Sequence, residues 1–187
     1  MHIGSAVVRW QTIDGFLSEQ DAMVLAPLIQ AVKEDGWIIE IGSFKGRQSS
    51  FIAENKKASV RLSCIDPFPD KLVHFDDSRT YQNYMFSEWR QNLEGFANVE
   101  AVRGFSPFNI SFLSFSKIPD LIIFDVDAVF DSLVFWMRFT NSSTRFVIHT
   151  YKHEHQKIVK QIERAVHELG FVVEEAGPLA FLARGKP

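Results

Sequence analysis

Apolar residues recur along the chain in two alternating rhythms. Ala22, Leu25, Leu28, Ile29 and Val32 stand three or four apart, which predicts a helix from Ser18 to about Glu34. Ser18 is placed to cap it, with acids in the first turn, and Asp35-Gly36 ends it. Trp37 to Ile41 is then a short, mostly apolar run ending in glycine, the look of a buried parallel strand. The alternation continues with a helix from Arg47 to Lys57 and a strand from Val60 to Ile65 closed by Asp66-Pro67. A polar stretch over Asp70 to Ser78 precedes a helix from Tyr81 to Leu93 and a strand from Asn98 to Val102. Leu121 to Phe124 is a strand ended by Asp125, Asp131 to Phe139 a helix, and Phe146 to Ile148 a strand ended by His149. Gln156 to Leu169 is a helix stopped by Gly170. Phe171 to Glu174 and Leu179 to Ala183 flank Ala176-Gly177-Pro178 and read as a terminal hairpin.

Strands that alternate with helices predict an α/β fold. The expected form is a Rossmann-like, mostly parallel seven-stranded sheet with helices on both faces and a C-terminal antiparallel hairpin. We expect one domain over residues 1–187, with 1–35 as an N-terminal helical extension. Such sheets bind ligands beyond the carboxyl ends of their strands, near the point where strand order reverses. The residues that follow the strands are therefore the informative ones: Glu40-Ile41-Gly42-Ser43, Asp66, Gly104-Phe105-Ser106, Asp125 and His149-Thr150-Tyr151. Acids, glycines and hydrogen-bonding side chains gather at one edge of the predicted sheet.

Composition narrows the partners. The 187 residues carry a net charge of −3, so nucleic acid is not expected as a partner. No apolar run approaches the roughly 20 residues of a membrane helix, and MHIGSAVVRW lacks a signal peptide's basic-then-apolar layout. The single cysteine, Cys64, forms no intrachain disulfide and lies in an apolar stretch, as an inert buried thiol would. The expected setting is cytoplasmic. The 18 phenylalanines fit a Phe-rich core or an aromatic-lined cleft.

The turn Glu40-Ile41-Gly42-Ser43-Phe44-Lys45-Gly46 carries the most chemistry. Gly42 permits a sharp turn and close approach, and Gly46 permits tight entry into the next helix. The acid at the strand end opposes a pyrophosphate, and the spacing is not G-x-G-x-x-G, so a dinucleotide is disfavoured. The acid suits a cofactor that carries an amine and a sulfonium; a turn with no ligand is the alternative. In this turn, in Ile65-Asp66-Pro67-Phe68, in Asn92-Leu93 through Asn98-Val99 and in Gly104-Phe105-Ser106, the chain resembles the class I S-adenosylmethionine-dependent methyltransferases. The nearest branch is that of antibiotic-sugar and catechol-type O-methyltransferases, and the likeness runs from about Trp37 to Gly170. The resemblance implies that Gly42, Ser43 and Gly46 line the methionine portion of S-adenosylmethionine, with Glu40 shaping that pocket. It implies that Asp66 accepts hydrogen bonds from the ribose hydroxyls and that Phe105 and Ser106 lie by the adenine.

The chain also departs from that family. Phe124-Asp125-Val126-Asp127-Ala128 keeps both acids of an Asp-Gly-Asp-His pattern but loses its glycine and histidine, and His149-Thr150-Tyr151 lacks the acid of His-Asp-Tyr. Asp125 and Asp127 alone make an incomplete oxygen-ligand set, so no divalent metal is expected. His153 and His155 alternate like a zinc pair but lack further ligands at recognised spacing, and a solvated loop is expected for them. His149, at a strand end, and Asp125 are the candidate catalytic residues, as bases toward an acceptor hydroxyl. The expected activity is methylation of a small molecule at oxygen; the alternative is a methyltransferase-like fold that binds cofactor or a protein partner without catalysis. A homodimer is left open.

Overall fold

The structure, a computed structural model, describes residues 9–68, 73–74, 80–81, 85–107, 117–126, 129–149, 155–176 and 179–184. Its centre is a seven-stranded sheet built from β1 (Trp37–Ile41), β2 (Arg61–Asp66), β5 (Val99–Arg103), β6 (Leu121–Phe124), β7 (Arg145–His149), β8 (Phe171–Ala176) and β9 (Leu179–Arg184). Two short strands, β3 (Val73–His74) and β4 (Thr80–Tyr81), pair separately as an antiparallel ribbon. Helices α1 (Glu19–Ala31), α2 (Arg47–Asn55), α3 (Met85–Asn92), α4 (Val129–Trp136) and α5 (His155–Leu169) surround the sheet. The strand order is β5-β2-β1-β6-β7-β9-β8, parallel from β5 through β7, with β9 antiparallel to both of its neighbours. This is the expected Rossmann-like sheet with its antiparallel terminal hairpin.

The period-2 geometry of the strands sorts their side chains to two cores. Ile38, Leu62, Cys64, Ile123 and Val147 face one core with Leu25 and Ile29 of α1, Phe51 and Ile52 of α2, and Trp89 of α3. Trp37, Ile39, Ile41, Ile122, Phe124, Phe146 and Ile148 face the other, with Leu133 and Trp136 of α4 and Ile158 and Ile162 of α5. Both faces are covered, so β1 and β6 are buried along their whole length, with Glu40 the one charged residue among them. The N-terminal segment is tied to the body. Trp10 packs edge-on to Phe51, and Arg9 donates to the carbonyls of Gln91 and Glu94.

Register decides what the sheet presents at its edge. Ile41 aligns with Ile65 on one side and with Phe124 on the other, and Phe124 aligns with Ile148. The strands therefore end together, and Gly42, Asp66, Asp125 and His149 arrive at a common rim. From β1 the chain passes outward to β2 and β5, then crosses back to β6 on the other side of β1. Order reverses between β1 and β6, directly beneath the turn that follows β1.

Candidate functional site at the switch point

Three polar clusters hold this rim. The first lies under the glycine turn. Glu40 is fully buried, and its carboxylate accepts from Ser43 Oγ (2.8 Å), Gln48 Nε2 (3.2 Å) and Ser49 Oγ. Ser49 Oγ in turn accepts from Trp89 Nε1 at 3.1 Å. Gln48 and Ser49 stand in the first turn of α2, so the acid also meets that helix's positive end. Burial nonetheless dominates and pushes the Glu40 carboxyl up to about 7, against the pull of these donors. Glu40 thus fastens the turn to α2, on the face of the sheet it shares with Cys64.

The second cluster centres on Asp66. Its Oδ2 accepts from the backbone N–H of Ser43 (3.0 Å) and Phe44 (2.9 Å), and its Oδ1 accepts from that of Phe68 (2.7 Å). Phe44 and Phe68 both sit at positive φ, 48° and 42°, a conformation that costs a bulky residue energy. One carboxylate therefore pins two loops in strained shapes. Burial raises its pKa while the three N–H groups oppose the rise. With about two lone pairs per oxygen, Oδ2 is filled and Oδ1 retains one acceptor position.

The third cluster joins α1 to the rim. The His149 ring is buried, with Nε2 3.3 Å from Asp21 Oδ2 and Nδ1 3.6 Å from Asp125 Oδ1, the latter longer than a hydrogen bond. Burial alone would lower its pKa, but the two carboxylates outweigh burial and hold it up to about 9. His149 is therefore an imidazolium at neutral pH, with no lone pair to receive a proton. Among the described residues, Asp125 Oδ1 is buried without a hydrogen-bond donor.

Gly42 (φ 90°) locks the turn to this cluster: a Cβ there would overlap the carbonyl oxygen of Asp125 and lie 2.9 Å from its carbonyl carbon. Gly42 N–H donates to Ile65 O, and Asp125 N–H to Ile41 O, both at 2.8 Å. Gly46 (φ 91°) caps α2, and a Cβ there would press on Leu93 (2.7 Å) and Trp89 (3.0 Å). Each glycine thus serves a close approach inside the protein.

Of the residues expected to form the site, the structure brings Glu40, Gly42, Ser43, Asp66, Asp125 and His149 together at the switch point. Gly46 starts α2 behind them. Phe105, after β5, presents a ring that is 60% exposed. Ser106 turns toward α4, where it accepts from Trp136 Nε1 (3.1 Å) and donates to Ser132 Oγ (3.3 Å). Asp127 and His153 lie outside the described residues, as does the side chain of His155. Asp21, Phe44 and Phe68 escaped the sequence reading. A Ser-x-x-Asp capping box was legible around Asp21, but its burial was not.

No protein-family model matches the chain, and no curated protein matches its sequence. Solved structures do. A SAM-dependent O-methyltransferase from Thermotoga maritima superposes over 94% of this chain and 68% of its own, with TM-score 0.66 at 16% identity. The Podospora anserina methyltransferase PaMTH1, bound to SAH, covers 95% of this chain and 86% of its own, with TM-score 0.69 at 11% identity. This chain has the class I methyltransferase fold. The O-methyltransferase TomG from Streptomyces achromogenes, involved in tomaymycin synthesis and solved with SAM, agrees over 91% of this chain and 82% of its own (TM-score 0.64, 14% identity). The glycine turn and the three carboxylate clusters lie at the carboxyl ends of the parallel strands, at the topological switch point.

The residues present fit S-adenosylmethionine in charge. Asp66, Asp125 and Asp21 outnumber the one imidazolium among them, which leaves the rim anionic toward a cationic ligand. Asp66 Oδ1 keeps one acceptor position; a ligand contact through both oxygens would require the loop N–H groups to yield. Among the described residues no cluster of three or more His, Cys, Asp or Glu could hold a metal ion, and no helix is long and apolar enough to cross a membrane.

Proposed function

We propose that this protein is an S-adenosylmethionine-dependent methyltransferase that acts on a hydroxyl of a small molecule. The observation that carries the reading is the gathering of Asp66, Asp125 and the glycine turn at the switch point of a methyltransferase fold, with the Asp125 backbone carbonyl against Gly42. When bound, the cofactor supplies an electrophilic methyl group on a sulfonium. The chain's own residues do the rest. Ser43 and the turn at Gly42 line the methionine end, Glu40 keeps that turn fastened to α2, and Asp66 meets the ribose. The exposed ring of Phe105 offers a flat face beside the adenine, whereas Ser106 supports the loop from below through α4.

Most of the rate in such a displacement comes from alignment of the reacting atoms. The Asp125 carboxylate orients the acceptor hydroxyl and takes up its proton, a smaller contribution. His149 carries positive charge beside it and limits the cost of burying two carboxylates. The net charge of −3 supports a small acceptor over nucleic acid.

A second reading is a protein that binds the cofactor without turning it over. It is favoured by the charged state of His149 and by the occupation of Asp66 by backbone donors. Calorimetry with S-adenosylhomocysteine and NAD side by side tests the first step. Heat with the former and none with the latter is expected; no binding of S-adenosylhomocysteine by folded protein would sink both readings. Methyl transfer from labelled S-adenosylmethionine to a panel of hydroxylated small molecules then separates enzyme from binder.

A further inference from the structure

We propose that Asp21, on the N-terminal helix α1, is a positioning residue of this site: its carboxylate holds the His149 ring, and the ring in turn orients the carboxylate of Asp125, the residue whose backbone carbonyl abuts the glycine turn. The inference rests on the methyltransferase reading for its consequence and on geometry for its core.

A capping box needs only an acceptor at the third helical position, and such residues usually face water. Ser18 and Asp21 form that box: Ser18 Oγ accepts from Asp21 N–H at 3.1 Å, and Asp21 Oδ2 accepts from Ser18 N–H at 3.0 Å. Yet Asp21 is only 2% exposed, because the same Oδ2 reaches 3.3 Å from His149 Nε2. A helix cap alone gives no reason to bury a carboxylate, which is costly unless it is paired. The partner is the last residue of β7, whose other ring nitrogen faces Asp125 at 3.6 Å. The cluster spans α1, β7 and the end of β6, and the Asp125 carbonyl abuts Gly42. A residue in a segment that precedes the first strand thus has a continuous path of contacts to the turn.

Among the described residues, the charged groups that face the ring are Asp21 from α1 and Asp125 from β6; the strand neighbour opposite on β9 is the apolar Leu179. Asp125 in turn raises the pKa of Asp66 through charge, after burial as the larger cause.

The test uses the full chain, with histidine ring carbons labelled for NMR and the His149 signal assigned by His149→Gln. In Asp21→Asn the midpoint of the His149 titration falls by more than about one pH unit, the scale for loss of one adjacent charge. Its affinity for S-adenosylhomocysteine changes about threefold or more between about pH 6 and about pH 8, where that of the natural protein stays flat. Ser18→Ala removes the two bonds that Ser18 Oγ makes to Asp21 and leaves Asp21 facing His149. It lowers helix stability and leaves the titration in place, which separates positioning from capping. Asp21→Glu restores the midpoint at least in part and serves where Asp21→Asn fails to fold. An unmoved midpoint in Asp21→Asn, or a Ser18→Ala midpoint that moves equally, overturns the proposal. A moved midpoint with pH-flat affinity overturns its link to the site. If the natural protein binds no S-adenosylhomocysteine while the midpoint still moves, the contact chain stands and the cofactor reading alone falls.

Discussion

Replacing Asp66 with alanine tests the tightest claim made above, that one carboxylate pins two loops. The substitution strips acceptors from the N–H groups of Ser43, Phe44 and Phe68 at once. A buried donor without a partner costs about 1–3 kcal/mol, so three would cost roughly 3–9 kcal/mol if nothing relaxed. Two effects reduce that sum. Water can enter the space that the side chain leaves, and the penalty of burying a carboxylate, visible in its raised pKa, disappears. A net loss of about 3 kcal/mol in urea unfolding is expected. Asp66→Asn is the internal control. Its amide oxygen can keep Ser43 and Phe44 while its NH2 group faces the Phe68 N–H, so about one donor is lost, at roughly 1–1.5 kcal/mol. If Asp66 also meets the ribose, Asp66→Ala weakens S-adenosylhomocysteine binding by about 1–3 kcal/mol, measured by calorimetry. Asp66→Ala within about 0.5 kcal/mol of the natural protein, or Asp66→Asn as costly as alanine, would refute the pinning argument.

Gly42→Ala pays both for a positive φ, about 1–2 kcal/mol, and for overlap with the Asp125 backbone, about 1–3 kcal/mol; urea midpoints should drop accordingly, and an unchanged midpoint would mean the turn is looser than described. Stability should fall as pH rises. His149 folds with its pKa raised to about 9 from an unfolded value near 6.5, so its contribution, about 3 kcal/mol, is complete below 6.5 and lost as pH approaches 9. Glu40, raised to about 7 in the fold from 4.5, lowers stability in the same direction between about pH 4.5 and about 7, where the unfolded chain has lost this proton and the folded one still holds it. Chemical denaturation from pH 6 to 9 checks this, and His149→Gln should flatten the alkaline limb. Methyltransfer, once an acceptor is found, should survive EDTA; activity lost to EDTA and restored by magnesium would show that Asp125 recruits a metal ligand outside the described residues.

How much of this was legible in the sequence follows from the range of the interactions involved. Strands β1 and β6 were readable to the residue, because parallel strands covered on both faces leave short, largely apolar runs, here ended by Gly42 and by Asp125. The helix expected from Tyr81 instead begins at Met85, with Tyr81 in β4; a two-residue ribbon carries too little periodicity to announce itself. The α4 pattern starts two residues early, at Val129, since an apolar helix start lacks a polar cap to mark it. At the site, position was legible and partnership was not. Strand ends announced Asp66, Asp125 and His149, but whether a side chain meets a ligand, a loop or another acid depends on contacts far apart in sequence. Asp21 and His149 are brought together only by the fold, and no spacing rule joins them. Phe44 and Phe68 are ordinary in sequence, and only the backbone shows the strain they bear.

The placement of β9 between β7 and β8 sets an order for making this protein. The ribosome delivers β7 first, then α5, then β8, and only then β9, the strand that lies between β7 and β8. Until Arg184 has cleared the exit tunnel, Phe146, Val147 and Ile148 form an open sheet edge with no partner on one side. Unpaired apolar edges of this kind invite pairing with other chains. Because β8 pairs in the sheet only with β9, the two close as a hairpin and dock as one unit, and the sheet is completed in a single late step. Translation stalled within α5 would leave a nascent chain whose exposed β7 is the segment a holding chaperone covers first.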